Sequence, residues 1–181
     1  MNMGTINEVT NLANELMAQD FEVIDIHGNK RILNMKKIGY KFEYNHAKRA
    51  FGKCYYTYKK ISLSLELCKE NLDKIHTNIR NTILHEIAHA FSYHIYGREG
   101  MGHDFKWQKI AIQIGCDGKR CYDGEKVNLP KSKYSLVCDN CEKSIPKHKI
   151  VKKKYACSNC CNKHNNGRYS DEFRLKLVQN Y

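Results

Sequence analysis

Apolar positions recur at helical spacing near the start of the chain. Val9, Leu12, Leu16 and Met17 form one stripe within Thr5 to Asp20, and Thr5 with Glu8 has the spacing of a capping box, which predicts a helix there. From Phe21 to Ile26 apolar and acidic residues roughly alternate, as in a half-buried strand. His27-Gly28-Asn29 follows as a turn, so a hairpin is expected. Two further strands are predicted, one about Arg31 to Tyr44 and one about Gly52 to Ser64, the second rich in Tyr and β-branched residues. Gly39, Gly52 and the polar run Asn45-His46-Ala47-Lys48-Arg49 interrupt them as turns or bulges. Tyr40, Tyr44, Tyr55, Tyr56 and Tyr58 all fall in this region and read as a sheet face with amphipathic edges, ahead of a platform for stacking bases.

The period becomes helical from about Asn78. Ile79, Ile83, Leu84, Ile87 and Phe91 share one side, and Gly97 is a natural C-cap. A second helix is predicted over His103 to Ile114, stopped by Gly115. Beyond it the chain turns polar and Lys-rich through Pro130, the composition of a linker, and the remainder carries two Cys-x-x-Cys pairs. The expected fold class is α+β: an N-terminal helix, a small mixed sheet, two helices, then a cysteine-bearing segment.

Composition narrows the class. An apolar fraction of 41% and an aromatic fraction of 10% in 181 residues are enough for a core and exclude disorder of the whole chain. No apolar run approaches the ~20 residues that cross a bilayer. The first residues show no basic stretch followed by an apolar one, so no signal peptide is visible and no membrane partner is expected. A cytoplasmic protein, monomeric by default, is the expectation. The Asn-, Lys- and Ile-rich composition suits an AT-rich genome, in a bacterium or a virus-infected host cell.

Charge adds a partner. The chain carries 31 Lys and Arg against 19 Asp and Glu, a formal charge of +12, and Pro130 to Tyr181 alone holds 12 basic and 4 acidic residues. Such a surplus favours a polyanion, most simply nucleic acid, although a lysine-rich surface also keeps a small protein in solution.

The chemistry concentrates in His85-Glu86-Ile87-Ala88-His89. Histidines four apart project from one helix face and can grip one metal ion, while the adjacent carboxylate can take a proton from a water on that metal. That is the arrangement of a zinc peptidase, and its position within an apolar helix, beside small Ala88 and Ala90, favours it over two ordinary core histidines. A catalytic zinc needs three protein ligands and an open position. His103, preceded by Gly100 and Gly102, is the leading third ligand, Glu99 is the runner-up, and His94 lies off the shared face.

Cys138, Cys141, Cys157 and Cys160 form two knuckles separated by 15 residues, the spacing of a four-thiolate structural zinc site. Such a site has no open position and folds its segment without doing chemistry. Cys161 and His164 lie close enough to replace a neighbour; Cys54, Cys68, Cys116 and Cys121 are expected in or near the core. Lys147, Lys149, Lys152, Lys153 and Lys154 offer DNA contact or plain solvation.

These residues resemble the SprT-like metallopeptidases, the group that includes the Spartan proteases of DNA–protein crosslink repair. The likeness runs from Phe51-Gly52-Lys53-Cys54 and Lys60-Ile61-Ser62-Leu63-Ser64 through Leu84-His85-Glu86-Ile87-Ala88-His89-Ala90 to His103 with Trp107 four residues on. The family's glycine after the third histidine is Asp104 here, which can act as an outer acceptor or as an N-terminal helix charge. The resemblance implies a zincin-like peptidase domain over residues 1–128 and a zinc ribbon with a basic tail over residues 129–181. It implies one catalytic zinc on His85, His89 and His103 with Glu86 as general base, one structural zinc, and protein substrates on or near DNA. Two other readings stay open: a regulator-cleaving peptidase of the ImmA/IrrE kind, and a non-enzymatic zinc-ribbon DNA-binding protein.

Overall fold

In the computed structural model, which describes residues 4–120 and 127–181, Thr5 begins the first helix as its capping pattern predicts. Its hydroxyl accepts from the Glu8 N–H and the Glu8 carboxylate accepts from the Thr5 N–H. The helix, α1 (Ile6–Ala18), buries Val9, Ala13, Leu16 and Met17. Strands β1 (Phe21–Ile24) and β2 (Lys30–Leu33) pair antiparallel with Phe21 opposite Leu33. Buried Asp25 orders the turn between them, accepting from the His27 and Asn29 N–H groups and pairing with Arg31.

Two expected strands divide. Instead of continuing to Tyr44, the chain forms a short helix α2 (Met35–Ile38), because Asn34 caps it, accepting from the Lys37 N–H and donating to the Ala18 carbonyl. Local side-chain bonding overrides the strand period here. The stretch Gly52 to Ser64 is likewise a hairpin of β4 (Gly52–Tyr55) and β5 (Lys60–Ser64), not one strand. With β3 (Lys41–Asn45) they form a mixed sheet of order β3-β5-β4, in which central β5 runs parallel to β3 and antiparallel to β4. The tyrosines do not form a stacking platform. Tyr40 is buried, Tyr44 packs edge-on against Phe42 and bonds Thr10, and Tyr55 lies beneath the ammonium groups of Lys53 and Lys60.

After α3 (Leu65–Lys69), a π turn at Ile75–Ile79 leads into the long helix α4 (Arg80–Tyr96), whose Ile83, Leu84, Ile87, Ala88 and Phe91 are wholly buried. Gly97, at φ +61°, ends it. The following helix, α5 (Phe105–Gln113), starts at Asp104, whose carboxylate accepts from the Lys106 and Trp107 N–H groups. This is the helix-charge role open to Asp104 from sequence.

The Lys-rich stretch after α5 is not a free linker over its described residues. Asp117 donates its N–H to the Asn81 side chain, and Asn128 exchanges amide bonds with Asn71 at 2.8 Å in both directions. Cys121 lies outside the described residues.

By compactness the chain divides into two units, Met1–Pro130 and Lys131–Tyr181. The second is a small antiparallel sheet of order β7-β6-β8, from β6 (Tyr134–Val137), β7 (Ser144–Lys147) and β8 (Lys176–Gln179), with one short helix α6 (Ser158–His164). Its core is Leu136, Phe173 and Leu175 around the four buried cysteines Cys138, Cys157, Cys160 and Cys161, while Cys141 is exposed. Among the described residues, no helix is long and apolar enough to cross a membrane.

Candidate metal centres

Helix α4 presents His85 and His89 one turn apart, and the loop before α5 brings His103 to the same point. The three Nε2 atoms lie 3.0 Å (His85–His103), 3.2 Å (His85–His89) and 2.9 Å (His89–His103) from one another. Three imidazole nitrogens cannot all donate to each other. A tetrahedral ion with metal–nitrogen bonds of ~2.0–2.1 Å would hold its ligand nitrogens about 3.3–3.4 Å apart, so the spacing suits a shared cation. Burial holds the rings neutral, with their lone pairs available: it pulls His85 down to about 4 and His89 to about 3, each helped by a neighbouring imidazole. His103 is lowered too, by burial and then by the nearby charge of Arg120.

Trp107, on the first turn of α5, underlies all three rings, with centroids 4.7 Å from His85, 5.2 Å from His89 and 4.7 Å from His103. The Tyr56 hydroxyl stands 3.5 Å from His89 Nδ1 and 3.3 Å from the Met101 carbonyl oxygen, on the side away from the Nε2 cluster. Glu99 is not drawn in. It is an exposed carboxylate paired with Lys106 at 2.8 Å. His94 is exposed.

Glu86 is 6% exposed and sits where β4 crosses α4. The approach is close enough that a Cβ on Gly52 would come within 2.6 Å of Glu86 Oε1 and 2.8 Å of Thr82 Cγ2. Burial raises the Glu86 carboxyl to about 8, partly opposed by the Cys54 backbone N–H that it accepts. The three histidines and Glu86 line one cleft of about 640 Å³, walled by residues 49–54 and Tyr56 on one flank and by Asp117, Lys119, Arg120, Val127 and Leu129 on others.

In the second unit the Sγ atoms of Cys138 and Cys160 are 3.7 Å apart and those of Cys141 and Cys157 3.5 Å apart, and all four thiols lie within 4.8 Å of one another. Four thiolates at ~2.3 Å around one tetrahedral ion stand about 3.8 Å apart, so this cluster also fits a metal. The Cys160 N–H pulls the Cys157 thiol down, and the Asn140 amide donates to Cys160 Sγ. Cys161 is buried in the same small core and His164 rests on Phe173, neither in the four-thiol group. Cys68 and Cys116 are buried in the first unit and Cys54 is half-buried beside the cleft. Lys149, Lys152, Lys153 and Lys154 are exposed and Lys147 half-exposed.

Both groups that could hold a metal are thus built from residues that spacing singles out. What local pattern does not reveal is the contact of Gly52 with Glu86, the Tyr56 hydroxyl behind His89, and the return of Asp117, Lys119, Arg120, Val127 and Leu129 to the cleft. Each joins segments more than 30 residues apart, and only the Gly-x-Cys of β4 leaves a trace in sequence.

A family model described as the SprT-like family matches residues 7–129. Among curated proteins, Protein SprT of Pseudomonas entomophila (strain L48) is 27% identical and that of Pseudomonas putida (strain GB-1) 25% identical, each over 107 residues. Each alignment covers 55% of this chain and 63% of the relative, so the chain spans less than two thirds of the length of the relatives it matches. No solved structure matches with significance.

Proposed function

The chain belongs to the SprT-like family, and we propose that it is a zinc-dependent metallopeptidase of zincin type, with its active site in the cleft of the first unit. The observation that carries this reading is the convergence of three histidine Nε2 atoms beside a buried glutamate. His85, His89 and His103 are the proposed zinc ligands and Glu86 the general base. Zinc, when bound, supplies a Lewis acid that makes water a usable nucleophile near neutral pH and polarises the scissile carbonyl.

The chain's own residues do the rest. Glu86 accepts a proton from the attacking water and returns it to the leaving amine, and burial, which raises this carboxyl in the metal-free fold, helps it hold the proton between the two transfers. Gly52 and the Cys54 N–H fix where that carboxyl stands. Trp107 keeps the three imidazoles from turning, and Tyr56 takes the Nδ1 side of His89, which leaves Nε2 for the metal. β4 is an edge strand along the cleft, so an extended peptide can lie beside it.

The second unit is read as a zinc ribbon in which Cys138, Cys141, Cys157 and Cys160 hold a structural ion. Substrates are proposed to be proteins on or near DNA, with the exposed lysines from Lys147 to Lys154 supplying the DNA contact. The test is Glu86→Gln. Cleavage of a DNA-bound protein substrate should fall by at least 10³-fold, in keeping with loss of a general base, while zinc content and the far-UV spectrum stay as in the wild type. Retained activity in Glu86→Gln would sink the mechanism. DNA binding with no proteolysis under any condition would favour a non-enzymatic DNA-binding protein instead.

A further inference from the structure

Among the described residues, each flank of the cleft carries two cations. Gly52 lies against Thr82 and Glu86 on one side of α4, so the segment that includes it brings Arg49 and Lys53 to that flank. Asn81, one residue round the helix, holds the Asp117 N–H, and the segment beyond brings Lys119 and Arg120 to the other. All four cations are exposed. Among the described residues none of them stands within ion-pair distance of a carboxylate, whereas six other lysines and arginines do. Lys53 is occupied only by the ring of Tyr55, at 4.7 Å. Among the described residues the carboxylates of the lining are Glu86, which is buried, and Asp117, which is exposed and accepts from the Lys119 N–H.

Between these flanks the surface is apolar. Phe51 and Val127 contribute to it, and Met101 and Leu129 are 45% and 64% exposed, large apolar side chains held open to an occupant. A nucleic acid strand asks for a solvated basic groove with ring faces to stack on. An apolar trough edged by unpaired cations, with a buried carboxyl at its floor, suits a peptide carrying apolar side chains flanked by acidic ones.

We propose that this cleft selects acidic peptide segments, with Arg49, Lys53, Lys119 and Arg120 as the specificity-determining residues. The inference rests on the peptidase reading for its consequence, cleavage, but not for the binding preference itself. Lysine-rich segments would be held off.

The experiment uses zinc-loaded full-length protein with Glu86→Gln to prevent turnover. Three fluorescent peptides share an apolar centre and differ only in carrying Glu, Gln or Lys on either side of it. The Glu peptide should bind about tenfold more tightly than the Gln peptide, with the Lys peptide weakest, as expected for several exposed charge pairs acting together. Arg49→Ser with Lys53→Ser, and separately Lys119→Ser with Arg120→Ser, should each cut the preference about threefold. A triple change of Lys152, Lys153 and Lys154 to Ser should leave it intact, which separates the cleft from the overall charge of the chain. Equal binding of the three peptides would overturn the proposal, as would a preference lost in the triple variant but kept in the cleft variants. A single-stranded oligonucleotide that displaces the Glu peptide, and that itself weakens in the cleft variants, would reassign the rim to nucleic acid. The same peptides offered to wild-type protein decide the underlying reading: acidic preference in binding with no cleavage of any peptide would remove the peptidase and leave the selectivity standing.

Discussion

Gly52 is the point at which strand β4 touches Glu86: a Cβ there would lie 2.6 Å from Oε1 and 2.8 Å from Cγ of that side chain. The carboxyl is buried and accepts from the Cys54 N–H two residues along the same strand, so it has little room to move aside. Gly52→Ala should therefore shift Glu86 and leave the histidine cluster in place. The expectation is a fall in kcat of about tenfold to a hundredfold, the size that small misplacements of a reacting group produce, with zinc stoichiometry unchanged. An overpacking penalty of about 1–3 kcal/mol in chemical denaturation should accompany it. Wild-type turnover in Gly52→Ala would show that the contact does not set the position of Glu86.

The buried titratable groups give the metal-free protein a pH dependence of two signs. Glu86 is raised from 4.5 to about 8 in the fold, so the unfolded chain releases its proton first and stability falls as pH climbs from about 4.5 to about 8. His85 and His89 are lowered from 6.5 to about 4 and about 3, so the unfolded chain takes up protons first and stability falls as pH drops below about 6.5. Urea unfolding of protein stripped with a chelator, followed from pH 4 to pH 9, reads both limbs. Glu86→Gln should flatten the alkaline limb and spare the acid one; the double change of His85 and His89 to Ala should do the reverse. An alkaline limb that persists in Glu86→Gln would place its origin in another group.

Metal analysis separates the two clusters. Wild-type protein should hold two zinc ions, and both His85→Ala with His89→Ala and Cys138→Ser with Cys141→Ser should hold one. The histidine variant loses an ion from a helix whose Ile83, Leu84, Ile87 and Phe91 remain buried in the first core, so its unfolding should stay cooperative. The cysteine variant loses the centre of a small core whose buried residues besides cysteines are Leu136, Phe173 and Leu175, and residues 131–181 should become protease-sensitive. One ion in wild type, unchanged in the histidine variant, would exclude a metal at His85.

How much of this was legible beforehand depended on whether the signal was local. The Thr5–Glu8 box, the period of α4 and the Gly97 cap are short-range patterns, and the elements they predict are present. The same holds for His85 with His89, and for the Cys-x-x-Cys pairs, whose side chains the structure groups as their spacing suggests. The failures are of two kinds. Asn34 capped a helix within an apparent strand because a side chain bonding its own neighbours competes with the strand ladder. The stretch read as linker packs back through Asn71 with Asn128 and Asn81 with Asp117, amide contacts across 57 and 36 residues that no window of periodicity can register. The contact between Gly52 and Glu86 belongs with these, being a property of how β4 crosses α4.

Trp107 offers a direct reading of the histidine centre, because it is the one tryptophan of the chain and its ring lies within 5.2 Å of all three imidazole centroids. A paramagnetic ion at the Nε2 cluster would sit close to the indole and quench it, whereas an ion among the four cysteines is held by a unit that contains no tryptophan. Titration of stripped protein with Co²⁺ should therefore give two separable signals: tryptophan quenching from the histidine site and thiolate charge-transfer absorption from the cysteine site. His103→Ala should weaken the quenching transition by about tenfold to a hundredfold or more in metal concentration, as loss of a supporting group typically does, and leave the absorption band where it was. Trp107→Phe should abolish the quenching signal yet still bind two ions, since phenylalanine can keep the floor beneath the rings. If quenching followed the thiolate band in midpoint and stoichiometry, or survived His103→Ala unchanged, then His103 would not be a ligand, and the three converging nitrogens would owe their arrangement to packing on Trp107 alone.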